Sequence, residues 1–217
     1  MITTIIFDLE GVVIDTERLW DQEISTVLSR RDISYDREKI KHLLSGRSVS
    51  EASGMLIEMF GLECAREELT RERIEIMKKL IQDNARLING FSDFYETIRP
   101  KYKTCIATSM DHELLKLTES KIGLNRLFSG KVFSIADVGN IAKPNPDLFL
   151  FSAEKLMSAP DECVVIEDSP LGITAAKRAG MKSMGITTTY RRNLLNDADI
   201  VVDSYSEIDP ERFPDLI

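Results

Sequence analysis

The feature that most constrains this chain is a set of short apolar runs, each stopping abruptly at a polar or charged residue. The first, Ile2 to Phe7, ends in Asp8, and comparable runs recur at Lys103–Ala107, Lys131–Ser134, Cys163–Ile166, Lys182–Ile186 and Ile200–Val202. Such runs suit strands buried on both faces, because a strand with one wet face would alternate apolar with polar residues. Helical patterns at Asp111–Lys121, Pro146–Met157 and Pro170–Ala179 separate several of them, the last followed by Gly180 where a C-cap would fall. Alternating strand and helix predicts the α/β class, with a Rossmann-like core built on a parallel sheet.

Residues 16–85 break this rhythm. They contain no convincing strand, and their apolar residues recur at helical spacing: Leu19, Ile24, Val27 and Leu28; Leu56, Ile57, Met59 and Phe60; Ile74, Met77, Leu80 and Ile81. The reading is a four-helix cap domain inserted after the first strand, with residues 1–15 and 86–217 forming the α/β core. Such an insert starts and ends near the C-terminal edge of the sheet, where open α/β sheets place their ligands, so it is positioned to act as a lid. A helical layer packed permanently on the sheet is the alternative.

Composition narrows the class of partner. At 217 residues the chain can bury a sizeable core, and 43% apolar with 29% charged residues is ordinary for a soluble globular protein. The 36 acidic residues outnumber the 28 basic ones, which argues against a broad nucleic-acid or anionic-membrane surface. An anionic substrate would therefore be held by local cations. The N-terminal stretch has no basic region and no small-residue cleavage site, and no apolar stretch is long enough to span a bilayer. Cys64, Cys105 and Cys163 lack CxxC spacing and read as small packed residues in a reducing cytosol, so a cytoplasmic location is expected.

The chemistry-bearing residues sit where the strands stop. Asp8 and Glu10 follow the first strand; two carboxylates one residue apart there would repel and be costly to desolvate, which suggests a cation, although an acidic turn capping a helix is the alternative. Thr108 and Ser109 follow the second, ahead of a helix whose N–H groups could hold phosphate oxygens. Lys143 precedes Pro144-Asn145-Pro146-Asp147, a rigid turn that would fix its direction; alone it would read as a solvated lysine. Glu167 and Asp168 close a further strand, with Pro170 suited to a first helical turn. Together these supply hard oxygen ligands for an ion, and donors plus a cation for phosphate charge, as Mg²⁺-assisted phosphoryl transfer requires.

The order and wording of FDLEGVVIDTE, the ATS turn, KPNPDLF and IEDSPLGI resemble the haloacid dehalogenase-like hydrolase superfamily, in its β-phosphoglucomutase-like phosphatase branch, over essentially the whole chain. The resemblance implies that Asp8 attacks phosphorus to form an aspartyl-phosphate. It also implies that Thr108, Ser109 and Lys143 bind the phosphoryl group. Mg²⁺ would be held by Asp8, the main-chain carbonyl of Glu10, Asp168 and the adjacent Glu167. The family's phosphatases and mutases usually have Asp at the position of Glu10, the general acid and base. The extra methylene moves the carboxyl by roughly 1 Å, and an error of that size can cost on the order of 10²-fold in rate.

Within the cap, Ser45-Gly46-Arg47-Ser48 matches the small-residue loop that similar enzymes point into the active site, so Gly46 and Arg47 are the expected substrate contacts, Arg47 being equally readable as a surface arginine at a helix start. The mutases carry basic residues flanking this glycine; Ser45 precedes it here, which disfavours that reading. Trp20 reads as packing, and His42 and His112 as solvated. The expectation is a monomeric Mg²⁺-dependent phosphatase acting on a small phosphorylated metabolite, with neither nucleic acid nor membrane as partner. A hexose-phosphate mutase is the first alternative, and a binder of phosphorylated ligands weakened by Glu10 the second.

Overall fold

The computed structural model describes residues 1–44 and 47–210, apart from the side chain at position 42; Ser45 and Gly46 lie outside the described residues. In chain order the elements are β1 (Thr4–Phe7), α1 (Glu17–Ser29), α2 (Arg37–Leu44), α3 (Val49–Phe60), α4 (Arg66–Asn84), α5 (Phe91–Ile98) and β2 (Lys103–Thr108). There follow α6 (His112–Ile122), α7 (Leu124–Leu127), β3 (Val132–Ser134), α8 (Asp147–Lys155), β4 (Cys163–Glu167), α9 (Pro170–Arg178), β5 (Lys182–Ile186) and β6 (Ile200–Val202). The six strands form one parallel sheet in the order β3-β2-β1-β4-β5-β6. This is the Rossmann-like α/β fold, with four helices inserted after β1.

The sheet is buried on both faces, as its apolar runs require. On one face Ile6, Cys105, Ala107 and Val165 pack with Leu148 and Phe149 of α8 and Ala175 and Ala176 of α9. On the other, Phe7 meets Phe91, Tyr95 and Phe128 edge-on at ring-centroid distances of 5.7, 6.0 and 5.8 Å. Burying each such ring contributes about 1.5–3 kcal/mol. Because β1 lies centrally, between β2 and β4 in register, with Phe7 opposite both Ile106 and Ile166, the residues that follow these three strands emerge side by side.

The chain divides into two compact units. One contains residues 1–15, 86–110 and 123–217; the other contains residues 16–85 together with 111–122. The second range is the difference from the sequence-based boundaries: α6 groups with the inserted helices rather than with the sheet. It packs along α4, where Lys78 bridges to Glu113 of α6 at 2.6 Å. The helical unit has its own core of Ile24, Val27, Leu28, Ile40, Leu56, Leu69 and Ile76. Ser48 and Glu51 form a reciprocal capping box at the start of α3, and Gly61 ends that helix with φ of 61°. Among the described residues, no helix is long and apolar enough to cross a membrane.

Candidate active site

Asp8 directly follows β1, and its N–H donates to the Ile166 carbonyl of β4 at 3.0 Å, so the sheet ladder itself places the carboxylate. The chain then turns sharply. Val13 and Ile14 N–H both donate to the Leu9 carbonyl at 2.9 Å, and Gly11 takes φ of +74°, a conformation a side chain would strain. The buried Tyr205 hydroxyl donates to the Val12 carbonyl at 2.9 Å and anchors this turn to the far end of the chain.

Lys143, whose side chain is only 7% exposed, donates to Asp8 Oδ1 and to Glu167 Oε1, the latter at 2.7 Å. It is therefore no solvated surface lysine. Its peptide bond to Pro144 is cis. Burial pushes the Asp8 carboxyl up to about 7 against the pull of Lys143, with Glu167 and Glu10 adding to the rise. Burial also opposes the charge on Lys143, but Asp8 and Glu167 more than offset it and raise its pKa. Glu167 is held at both oxygens: Oε1 accepts from Lys143, and Oε2 accepts from Ser169 N–H and Oγ at 2.8 and 2.9 Å. The approach is tight enough that a Cβ at Gly172 would lie 1.8 Å from Glu167 Oε1.

Asp8, Glu167 and Asp168 are all buried, and each offers a carboxylate oxygen within 4.8 Å of the others. Among the described residues this is the one group of three or more potential ligands, and its all-oxygen chemistry fits a hard cation such as Mg²⁺. A divalent ion there would favour the ionised form of Asp8, opposing the effect of burial. Glu10 is half-buried beside the turn.

Of the expected phosphate contacts, Thr108 closes β2, is buried, and accepts from Met110 N–H at 3.0 Å. Ser109 Oγ is buried with no hydrogen-bond partner, an orphaned donor of the kind that a ligand oxygen would satisfy. Arg47, in the helical unit, is exposed and donates from Nε to the Leu43 carbonyl at 2.9 Å; Gly46 lies outside the described residues. Trp20 is half-buried and His112 exposed. Two residues that sequence reasoning missed join the site. Thr189 donates its hydroxyl to Asp168 Oδ2, and Thr188 donates to the Gly11 carbonyl. The bare run Thr187-Thr188-Thr189 after β5 carried no signal that could have pointed there.

A lysine-paired carboxylate just after the central parallel strand, with an acidic pair at the end of the neighbouring one, makes a polar site at the C-terminal edge of a Rossmann-like sheet, where such folds bind ligands. Comparison with known families agrees: residues 5–186 match the family model described as haloacid dehalogenase-like hydrolase, and the chain belongs to that family. It is 26% identical over 182 residues to fructose-1-phosphate phosphatase of Escherichia coli, covering 84% of this chain and 95% of that one. It is 28% identical to the phosphorylated carbohydrates phosphatase of Thermotoga maritima, over 82% of each. Among solved structures, a β-phosphoglucomutase from Clostridium difficile superposes with a TM-score of 0.80 at 25% identity, covering 100% of this chain and 97% of that one.

Proposed function

We propose that this protein is a Mg²⁺-dependent phosphatase that hydrolyses a small phosphomonoester, a sugar phosphate or similar metabolite, through an aspartyl-phosphate on Asp8. The observation that carries this reading is the convergence of Asp8, Lys143, Glu167 and Asp168 at adjoining strand ends. The phosphatase names of the sugar-phosphate relatives support it.

In this mechanism one Asp8 oxygen attacks phosphorus while the substrate's ester oxygen departs with a proton from Glu10. Water, deprotonated by the same Glu10, then cleaves the acyl phosphate and returns Asp8 to its starting state. Lys143 holds Asp8 in place and balances charge on the phosphoryl oxygens, and Glu167 fixes Lys143. Thr108 and Ser109 orient the phosphoryl group by donating to its oxygens. Bound Mg²⁺, held by Asp8, Asp168 and the Glu10 carbonyl with Glu167 alongside, would neutralise phosphoryl charge. Gly46 and Arg47 are the candidate contacts to the rest of the substrate.

Phosphate release from a panel of phosphomonoesters, with and without Mg²⁺, tests the reading. Turnover should require the metal, stop with EDTA, and fall by at least about 10³-fold in Asp8→Asn. Absence of turnover on every monoester, or full activity in Asp8→Asn, overturns it. The likeness to β-phosphoglucomutase favours a second reading, phosphoryl transfer within a hexose phosphate. Isomerised product without free phosphate, and dependence on a bisphosphate activator, would select that instead.

A further inference from the structure

Two hydroxyls of the segment after β5 reach back to the ends of β1 and β4. Thr189 Oγ1 donates to Asp168 Oδ2, and Thr188 Oγ1 donates to the Gly11 carbonyl. Gly11 also walls the same carboxylate oxygen: a Cβ on Gly11 would lie 1.9 Å from Asp168 Oδ2 and 2.6 Å from Thr189 Oγ1. Oδ2 is thus enclosed between a hydroxyl donor and the Gly11 backbone, on a residue only 6% exposed. Thr188 holds the Gly11 side of that enclosure, and Thr189 closes the other.

We propose that Thr189 is a positioning residue whose hydroxyl occupies Asp168 Oδ2, so that Asp168 offers a metal ion one oxygen rather than two. The inference rests on the Mg²⁺ reading above. Mg²⁺ demands a compact octahedral oxygen set, whereas Ca²⁺ takes six to eight ligands and readily accepts both oxygens of one carboxylate. Holding one oxygen back therefore favours the smaller ion. Hydrogen-bond partners of ligating groups commonly contribute 10–100-fold to metal affinity, so one hydroxyl can have a measurable effect.

Calorimetric titration of MgCl₂ and of CaCl₂ into the wild type, Thr189→Val, Thr189→Ala, Thr189→Ser and Asp168→Asn tests this without reference to turnover. Thr189→Val should bind Mg²⁺ about tenfold more weakly, with the affinity ratio shifted toward Ca²⁺, and Thr189→Ser should restore both. Thr189→Ala also lacks the hydroxyl and carries the same expectation should the valine variant fail to fold, which thermal melts would reveal. If Asp168→Asn loses Mg²⁺ while both hydroxyl-free variants stay within about twofold of wild type in affinity and ratio, the inference alone falls, because the expected loss is tenfold. If the wild type takes up no Mg²⁺, the metal reading and this inference fall together.

Discussion

At position 10 two requirements placed on one residue separate. The metal role proposed for Glu10 uses the main-chain carbonyl and is indifferent to side-chain length, while proton transfer uses the carboxyl and is not. Glu10→Asp should therefore raise kcat by up to about 10²-fold while leaving Mg²⁺ affinity unchanged, read from steady-state kinetics beside a metal titration. A slower aspartate variant would mean that the site is built around the longer side chain. Asp199 offers a test of another kind. Burial opposes its charge, but hydrogen bonds from Lys182 and Ser183 more than compensate and hold its carboxyl below the usual carboxylate range. A depressed folded-state pKa stabilises above the unfolded value near 3.9 and loses that contribution as pH falls through the folded value. Asp199→Asn should melt below wild type at pH 7, and the gap should close as the pH falls below about 4. Asp8, Lys143, Glu167 and Asp168 were legible in the sequence because each ends or follows a run of buried residues or precedes a rigid proline turn. Thr189 was not, because it stands in a run of three threonines after β5 with no carboxylate, lysine or proline turn to mark it.

Among the elements, α9 shows how a helix terminus holds the site. Ser169 caps it by accepting from Gly172 N–H at 3.1 Å, while Ser169 N–H and Oγ hold Glu167. Gly172→Ala sets two effects against each other. Alanine favours a helix by about 1 kcal/mol, yet its Cβ would displace a buried glutamate pinned by Lys143, and overpacking typically costs about 1–3 kcal/mol. The substitution should lower stability to chemical denaturation and reduce turnover together. An unchanged midpoint with full activity would mean that Glu167 can step aside freely. The six strands could be read from sequence because burial on both faces writes a continuous apolar run, and α1, α3 and α4 because their apolar spacing persists over three turns or more. The eight-residue α5 and four-residue α7 offer too few turns to establish a period, and both went unread. Phe91 and Tyr95 of α5 nevertheless help complete the aromatic cluster around Phe7.

At the scale of the whole molecule, the helical unit carries its own internal determinant of stability. Arg73 of α4 pairs with Glu23 of α1 through two hydrogen bonds of 2.9 Å, both residues being buried, and Arg73 also reaches the Val49 carbonyl and Ser53 Oγ of α3 at 3.4 Å. Burial raises the Glu23 pKa while Arg73 opposes the rise. Removing one partner strands the other charge, so Arg73→Ala should cost about 3–5 kcal/mol, whereas the paired change Glu23→Leu with Arg73→Met should be far milder. Hydrogen exchange on α1, α3 and α4 would register the loss locally. The membership of α6 in this unit also bears on recombination. A cassette cut at positions 16 and 85 and replaced by a foreign insert would leave behind a helix shaped against the discarded α4, with Glu113 deprived of Lys78. The transferable module is therefore discontinuous, and functional chimeras should be recovered far more often when residues 111–122 travel with the insert.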